Sequence, residues 1–101
     1  MSSFAELIEG EKPVLIDFYA DWCQPCKMMA PILKEVAQKM GDSVKILKID
    51  VDRNPKLAQS LQIQGVPTLV IYRYGKSVWR QSGVVPAHAL IPLLEDFASQ
   101  T

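Results

Sequence analysis

Apolar positions change their spacing several times along the chain, and each change marks an element. Ser2 or Ser3 can cap a short helix through Phe4, Leu7 and Ile8 that Gly10 ends. Residues 13–20 form an apolar run holding one acid, Asp17, the pattern of a central strand covered on both faces. From about Pro25, the residues Met28, Met29, Ile32, Leu33, Val36, Ala37 and Met40 recur at helical intervals. Gly41 stops this helix and Pro31 should kink it. A second strand is expected over 44–51, and Asn54-Pro55 opens a short helix with Leu57, Ala58 and Leu61 on one side. Strands over 68–74 and 77–82 read as a hairpin across a Gly75-Lys76 turn. Leu90, Ile91, Leu93, Leu94, Phe97 and Ala98 make a final amphipathic helix, disturbed by Pro92. Either that helix starts near Ile91, or a short first turn precedes a kink at Pro92; the second reading is adopted.

The order α-β-α-β-α-β-β-α makes the first two strands parallel with a right-handed crossover. The last two are antiparallel, so an α/β class is expected: a mixed four-stranded sheet with helices on both faces. At 101 residues the chain reads as one domain spanning 1–101. Eleven basic residues balance eleven acidic ones, which argues against a nucleic-acid surface or a polybasic membrane patch. No apolar run approaches the roughly 18 residues that a membrane span needs. The start, Met1-Ser2-Ser3-Phe4-Ala5-Glu6, lacks the basic-then-apolar pattern of a secretory signal, so a cytoplasmic location is expected.

Candidate chemistry concentrates in Trp22-Cys23-Gln24-Pro25-Cys26-Lys27, where a central strand ends and a helix begins. A disulfide across two residues constrains little of the unfolded chain, so this pair is better explained by chemistry than by stability. The first N–H groups of a helix have no internal partner and its dipole favours negative charge there. Cys23 should therefore be a stabilised thiolate and the attacking nucleophile. Cys26, one turn on, is placed to resolve a mixed disulfide formed at Cys23. A metal site is the competing reading, but one Cys-x-x-Cys supplies two ligands where structural zinc wants four, and His88 is remote in sequence. Asp17, inside an apolar strand, should have a raised pKa and is a candidate proton acceptor for Cys26, directly or through water. Trp22 beside the thiol, with Val66, Pro67, Gly83 and Val84, would form a shallow apolar groove for extended partners. Met28 and Met29 are expected in the core, and His88, Asp50 and Asp52 at the surface.

Across nearly its whole length the chain resembles thioredoxin. The marks are Trp-Cys-x-Pro-Cys-Lys, Asp17 in the preceding strand, Gly65-Val66-Pro67-Thr68, the Gly75-Lys76 turn and Gly83. The resemblance implies the thioredoxin fold and reduction of protein disulfides through Cys23 and Cys26. It implies no bound cofactor, with electrons from NADPH delivered by a flavoprotein, thioredoxin reductase. It matches Asp17 to the family's buried acid and Lys48 to the lysine paired with it; read alone, Lys48 is as well a solvated strand residue. It also implies a cis bond before Pro67, a proline that faces the disulfide beside backbone that docks substrate. Asp52 matches an exposed family acid near the site. Gln24 and Pro25 fall within the substrate-facing motif, and Gln24 departs from the usual glycine, which touches potential and partner choice. Tyr19 stands where tryptophan is usual. The family's N-terminal edge strand has no counterpart here, so 44–51 is expected as an edge. The expected state is a monomer, with a dimer through that edge as the alternative. Two other functions stay open: a disulfide oxidant or isomerase, and a non-catalytic binding module.

Overall fold

A computed structural model describes residues 3–100. Helix α1, Phe4–Ile8, is capped by Ser3, whose hydroxyl accepts the Glu6 N–H while the Glu6 side chain accepts the Ser3 N–H. Ser2, the other expected cap, lies outside the described residues. Strand β1, Val14–Tyr19, leads to the long helix α2, Gln24–Met40. A 3-10 turn at Gly41–Ser43 precedes β2, Lys45–Asp50, and helix α3, Pro55–Ser60, follows. The hairpin of β3, Thr68–Arg73, and β4, Lys76–Ser82, leads to helix α4, Ala87–Ser99.

The strand order is β2-β1-β3-β4, with β1 parallel to β2 and the other neighbours antiparallel. This is the expected mixed sheet of four strands, and β2 is an edge. Alternation along β1 sends its side chains to opposite faces. Leu15 joins Met29, Leu33 and Val36 of α2 and Leu90 and Leu94 of α4 on one side. Val14, Ile16 and Phe18 join Ile8, Leu57 of α3 and Leu61 at its C-cap on the other. The continuous apolar run of β1 is thus a strand buried on both faces, as the sequence predicts.

Several boundaries differ from the expectation. Lys45–Asp50 is shorter than 44–51, because the 3-10 turn consumes the approach. The hairpin turn is Tyr74-Gly75, at φ 54° and 78°, rather than Gly75-Lys76, and Arg73 pairs with Lys76 across it. Two positive φ values match the right-handed twist of the hairpin, and the Arg73 guanidinium lies 5.3 Å from the Tyr74 ring centroid. Gly75→Ala should therefore destabilise by about 1 kcal/mol through backbone strain alone, since nothing crowds a Cβ there. Urea unfolding at fixed pH would show the shift in midpoint. Helix α4 begins at Ala87, one turn before Ile91, and continues past Pro92, so the start near Ile91 does not describe it. Pro92 faces solvent, where water replaces the hydrogen bond the ring removes. Met29 is buried as expected, but Met28 is 56% exposed on the outer face of α2. Asp50 is buried, not solvated: its carboxylate accepts the N–H groups of Asp52 at 2.8 Å and Arg53 at 3.3 Å, turning the chain after β2.

Candidate active site

Cys23 is the N-cap of α2, in extended conformation, and Pro25 falls in the first turn, where its missing N–H costs nothing. The two cysteines are joined in a disulfide with Cα atoms 5.2 Å apart. Cys26 donates its backbone N–H to Cys23 Sγ at 3.1 Å. The Cys23 sulfur thus takes one of the orphan donors that open the helix, the place where a thiolate is favoured. Both cysteines are nearly covered, so exposure does not distinguish them; the cap position does. Ala20, Cys23 and Cys26 form a small buried cluster against which Tyr19, Val51 and Val66 pack.

The residues expected to flank the pair are gathered around it from separate loops. Cys23 Sγ lies 3.5 Å from the carbonyl oxygen of Val66, and the Val66–Pro67 peptide bond is cis. Gly83, at φ 94°, donates its N–H to the Pro67 carbonyl at 2.8 Å, tying the loop after β4 to the loop before β3. Thr68 Oγ1 donates to the Gly65 carbonyl and closes that loop from below. Pro67 is buried and Val66 half-buried, while Gln24, Pro25 and Val84 are exposed. Trp22 is 72% exposed, yet its indole N–H donates to Asp52 Oδ2 at 2.8 Å. Asp52, surface-exposed as expected, is therefore an anchor that orients the indole beside Cys23.

Asp17 is fully buried, and neither carboxylate oxygen has a hydrogen-bond partner among the described residues. Burial pushes its pKa from 3.8 up to about 6, and the Lys48 ammonium pulls the other way. Alternation places Asp17 on the α2 face of the sheet with Leu15. Lys48 is its register partner on β2. The two do not form the direct contact that the resemblance implied. Lys48 instead sets its Nζ 4.6 Å from the centroid of the Tyr19 ring. A cavity of about 220 Å³ opens beside them, with Tyr19, Cys26, Lys27 and Lys48 in its walls. Sequence reasoning missed Tyr19 as the seat of this lysine, and its only signal was the i, i+2 spacing of Asp17 and Tyr19 on one strand face.

Residues 1–96 match the family model described as Thioredoxin. The chain belongs to the thioredoxin family. It is 48% identical over 95 residues to the chloroplastic thioredoxin Y of rice, covering 93% of this chain and 56% of that protein. The chain thus spans little more than half of that relative. Against a thioredoxin-like protein of Synechocystis it is 47% identical over 97 residues, 95% of this chain and 92% of the relative. A solved structure of a variant thioredoxin from Halobacterium salinarum superposes with a TM-score of 0.85 at 36% identity, covering all of this chain and 90% of that one. Thioredoxin membership together with the Cys23–Cys26 disulfide makes the chain a thiol–disulfide oxidoreductase of the protein-disulfide reductase kind. Thioredoxins act on disulfide-containing target proteins, and no helix among the described residues is long and apolar enough to cross a membrane.

Proposed function

We propose that reduced Cys23 attacks a disulfide of a protein substrate, and that Cys26 completes the reduction. The observation that carries this reading is the Cys23 sulfur, held on the Cys26 N–H in the first turn of α2 and 3.5 Å from the carbonyl oxygen of half-buried Val66. The Cys23 thiolate forms a bond to one substrate sulfur and the other leaves as a thiolate. Asp17 accepts the Cys26 proton, relayed by water in the cavity that Cys26 lines. The Cys26 thiolate then attacks the Cys23 sulfur, the second substrate thiolate leaves, and the Cys23–Cys26 disulfide remains. Two electrons have passed to the substrate. Lys48, seated on Tyr19, limits how far burial raises the Asp17 pKa. Trp22, Gln24, Pro25, Val66, Pro67, Gly83 and Val84 form the groove in which the extended substrate lies.

The protein holds no cofactor in this scheme. NADPH recharges it through a flavoprotein, thioredoxin reductase. It acts as a monomer, with exposed Lys45 and Lys48 on β2 discouraging edge pairing. We place it in a reducing compartment and expect the cytoplasm; the word "chloroplastic" in the rice relative's name keeps a plastid counterpart in view.

The test is the reduction potential of the pair, by equilibration against a thiol redox buffer. A value near about −270 mV, as for thioredoxin, is expected. A value near about −120 mV, as for a dedicated oxidant, would reverse the direction of transfer and trace the change to Gln24.

A further inference from the structure

Two arginines of the hairpin hold main-chain carbonyls, and their surroundings differ. Arg80, exposed on β4, donates Nη1–H to the Leu61 carbonyl and Nη2–H to the Gln62 carbonyl, each at 2.6 Å. Arg73, at the end of β3, is only 7% exposed. Its Nε–H donates to the Glu11 carbonyl at 2.7 Å and its Nη2–H to the Gln100 carbonyl at 2.6 Å. Gln100 is the C-cap of α4, so Arg73 closes that helix as well as holding the segment before β1. Both acceptors are uncharged. Among the described residues no carboxylate pairs with Arg73, and no group accepts from its Nη1. A guanidinium taken out of water is normally matched by an anion, since carbonyls return only part of the lost hydration.

A cavity of about 370 Å³ opens against this guanidinium, walled by Glu11, Lys12, Pro13, Ser43, Arg73 and Ala98. It lies far from the redox pair: Thr68, beside the cis-proline loop, and Arg73 stand at opposite ends of β3, roughly 17 Å apart along the strand. Exposed Lys12 adds a second cation to the walls. Exposed Glu11 brings the one carboxylate, so positive charge prevails. The Ser43 hydroxyl donates to the Met40 carbonyl at 2.6 Å and is not free to donate to a ligand. The donors left for an occupant are therefore the two cations. At about 30 Å³ per water the volume equals roughly a dozen waters, room for a phosphate group and a small group that carries it.

We propose that this cavity is an anion site for a phosphate group, taken as inorganic phosphate or a small phosphate monoester, with Arg73 as its floor and Lys12 at its rim. A guanidinium presents fixed N–H donors that suit phosphate oxygens, and an ammonium adds a flexible point charge. A dianion also meets the Glu11 carboxylate, so binding depends on both cations together. The bound anion would join the segment before β1 to the end of β3, and the fold would gain stability with ligand concentration. This site is independent of the redox steps.

Titration of the ¹⁵N-labelled oxidised protein with inorganic phosphate tests it, with ionic strength held constant by chloride. The Arg73 Nε–H resonance and the Lys12 and Ser43 amides should shift together and saturate, with a Kd on the order of 1 mM. Lys12→Gln should weaken binding about threefold, and Glu11→Gln should tighten it by a similar factor. Arg73→Met should abolish it. Glycerol 3-phosphate should displace inorganic phosphate if the site takes monoesters; binding of inorganic phosphate alone would mark a free-ion site. Shifts that climb without saturating, or that ignore the Lys12 and Glu11 substitutions, would mean an adventitious ion only and overturn the proposal. Saturation only in a protein lengthened beyond residue 101 would give the guanidinium to the chain's own terminal carboxylate and overturn it too. Should Arg73→Met lose cooperative unfolding, the pair at Glu11 and Lys12, both exposed, decides alone.

Discussion

Cys23→Ser should reduce turnover of a protein disulfide to the uncatalysed background, while Cys26→Ser should stop after half a cycle and accumulate a covalent adduct. A serine hydroxyl is not ionised near neutral pH and does not attack a disulfide, so the first variant loses the step that starts transfer. In the second, Cys23 still sits on the N-cap of α2, where the Cys26 backbone N–H reaches its sulfur at 3.1 Å; that N–H belongs to the backbone and survives the substitution. The mixed disulfide forms and has no thiol one turn away to release it. Non-reducing gels and intact mass after mixing with a disulfide protein read the result directly. Adduct with Cys26→Ser and none with Cys23→Ser assigns the nucleophile to the helix cap. The reverse pattern would exchange the two roles, and full turnover by Cys23→Ser would remove the mechanism. Because both cysteines are nearly covered, the outcome measures backbone electrostatics at the cap more than access.

The parts of this molecule written in local pattern were legible before any coordinates. The buried strand β1, the amphipathic helix α2 and the junction carrying Cys23 and Cys26 follow from periodicity and helix-end chemistry alone. Asp17 announced itself as one acid in an apolar run, and it is fully buried. What the chain concealed depends on contacts between distant segments or on which way a side chain faces. Pro92 left the start of α4 open between two readings because its cost is counted in an isolated helix; on the solvent side of α4 the lost hydrogen bond is replaced by water. Asp50 looked like a surface acid because charge is usually solvated, yet two backbone N–H groups at the end of β2 satisfy it inside. Lys48 was legible as a partner of Asp17 only through resemblance, and the ring that seats it, Tyr19, registered merely as a substitution. Arg80 carried no signal at all, since nothing local links an arginine in β4 to the carbonyls of Leu61 and Gln62.

Asp17→Asn should make the oxidised protein more stable at pH 8 and a slower enzyme at the same pH. The acid is buried without a hydrogen-bond partner, and its pKa rises to about 6 from 3.8, chiefly through desolvation, with Lys48 opposing. Below pH 3.8 the group is protonated in both folded and unfolded chains and costs nothing through ionisation. Between 3.8 and 6 the unfolded chain loses the proton while the folded one keeps it, so stability falls as pH rises. Above 6 the full cost is present, about 2–3 kcal/mol. Asparagine resembles the protonated acid in shape and neutrality, so it should keep the low-pH stability throughout. Denaturant titrations should show the variant about 2–3 kcal/mol more stable at pH 8 and equal to the parent at pH 3.5. An equal gain at both pH values would mean that packing, not charge, was responsible. The amide cannot take a proton from Cys26, so decay of the mixed disulfide should slow roughly 10²-fold at pH 8. Unchanged decay would release Asp17 from its role as proton acceptor. A substitution that strengthens the fold while weakening the chemistry is what a group kept for reaction should show: the core would be sounder without the acid, and the resolving thiol would then have no base.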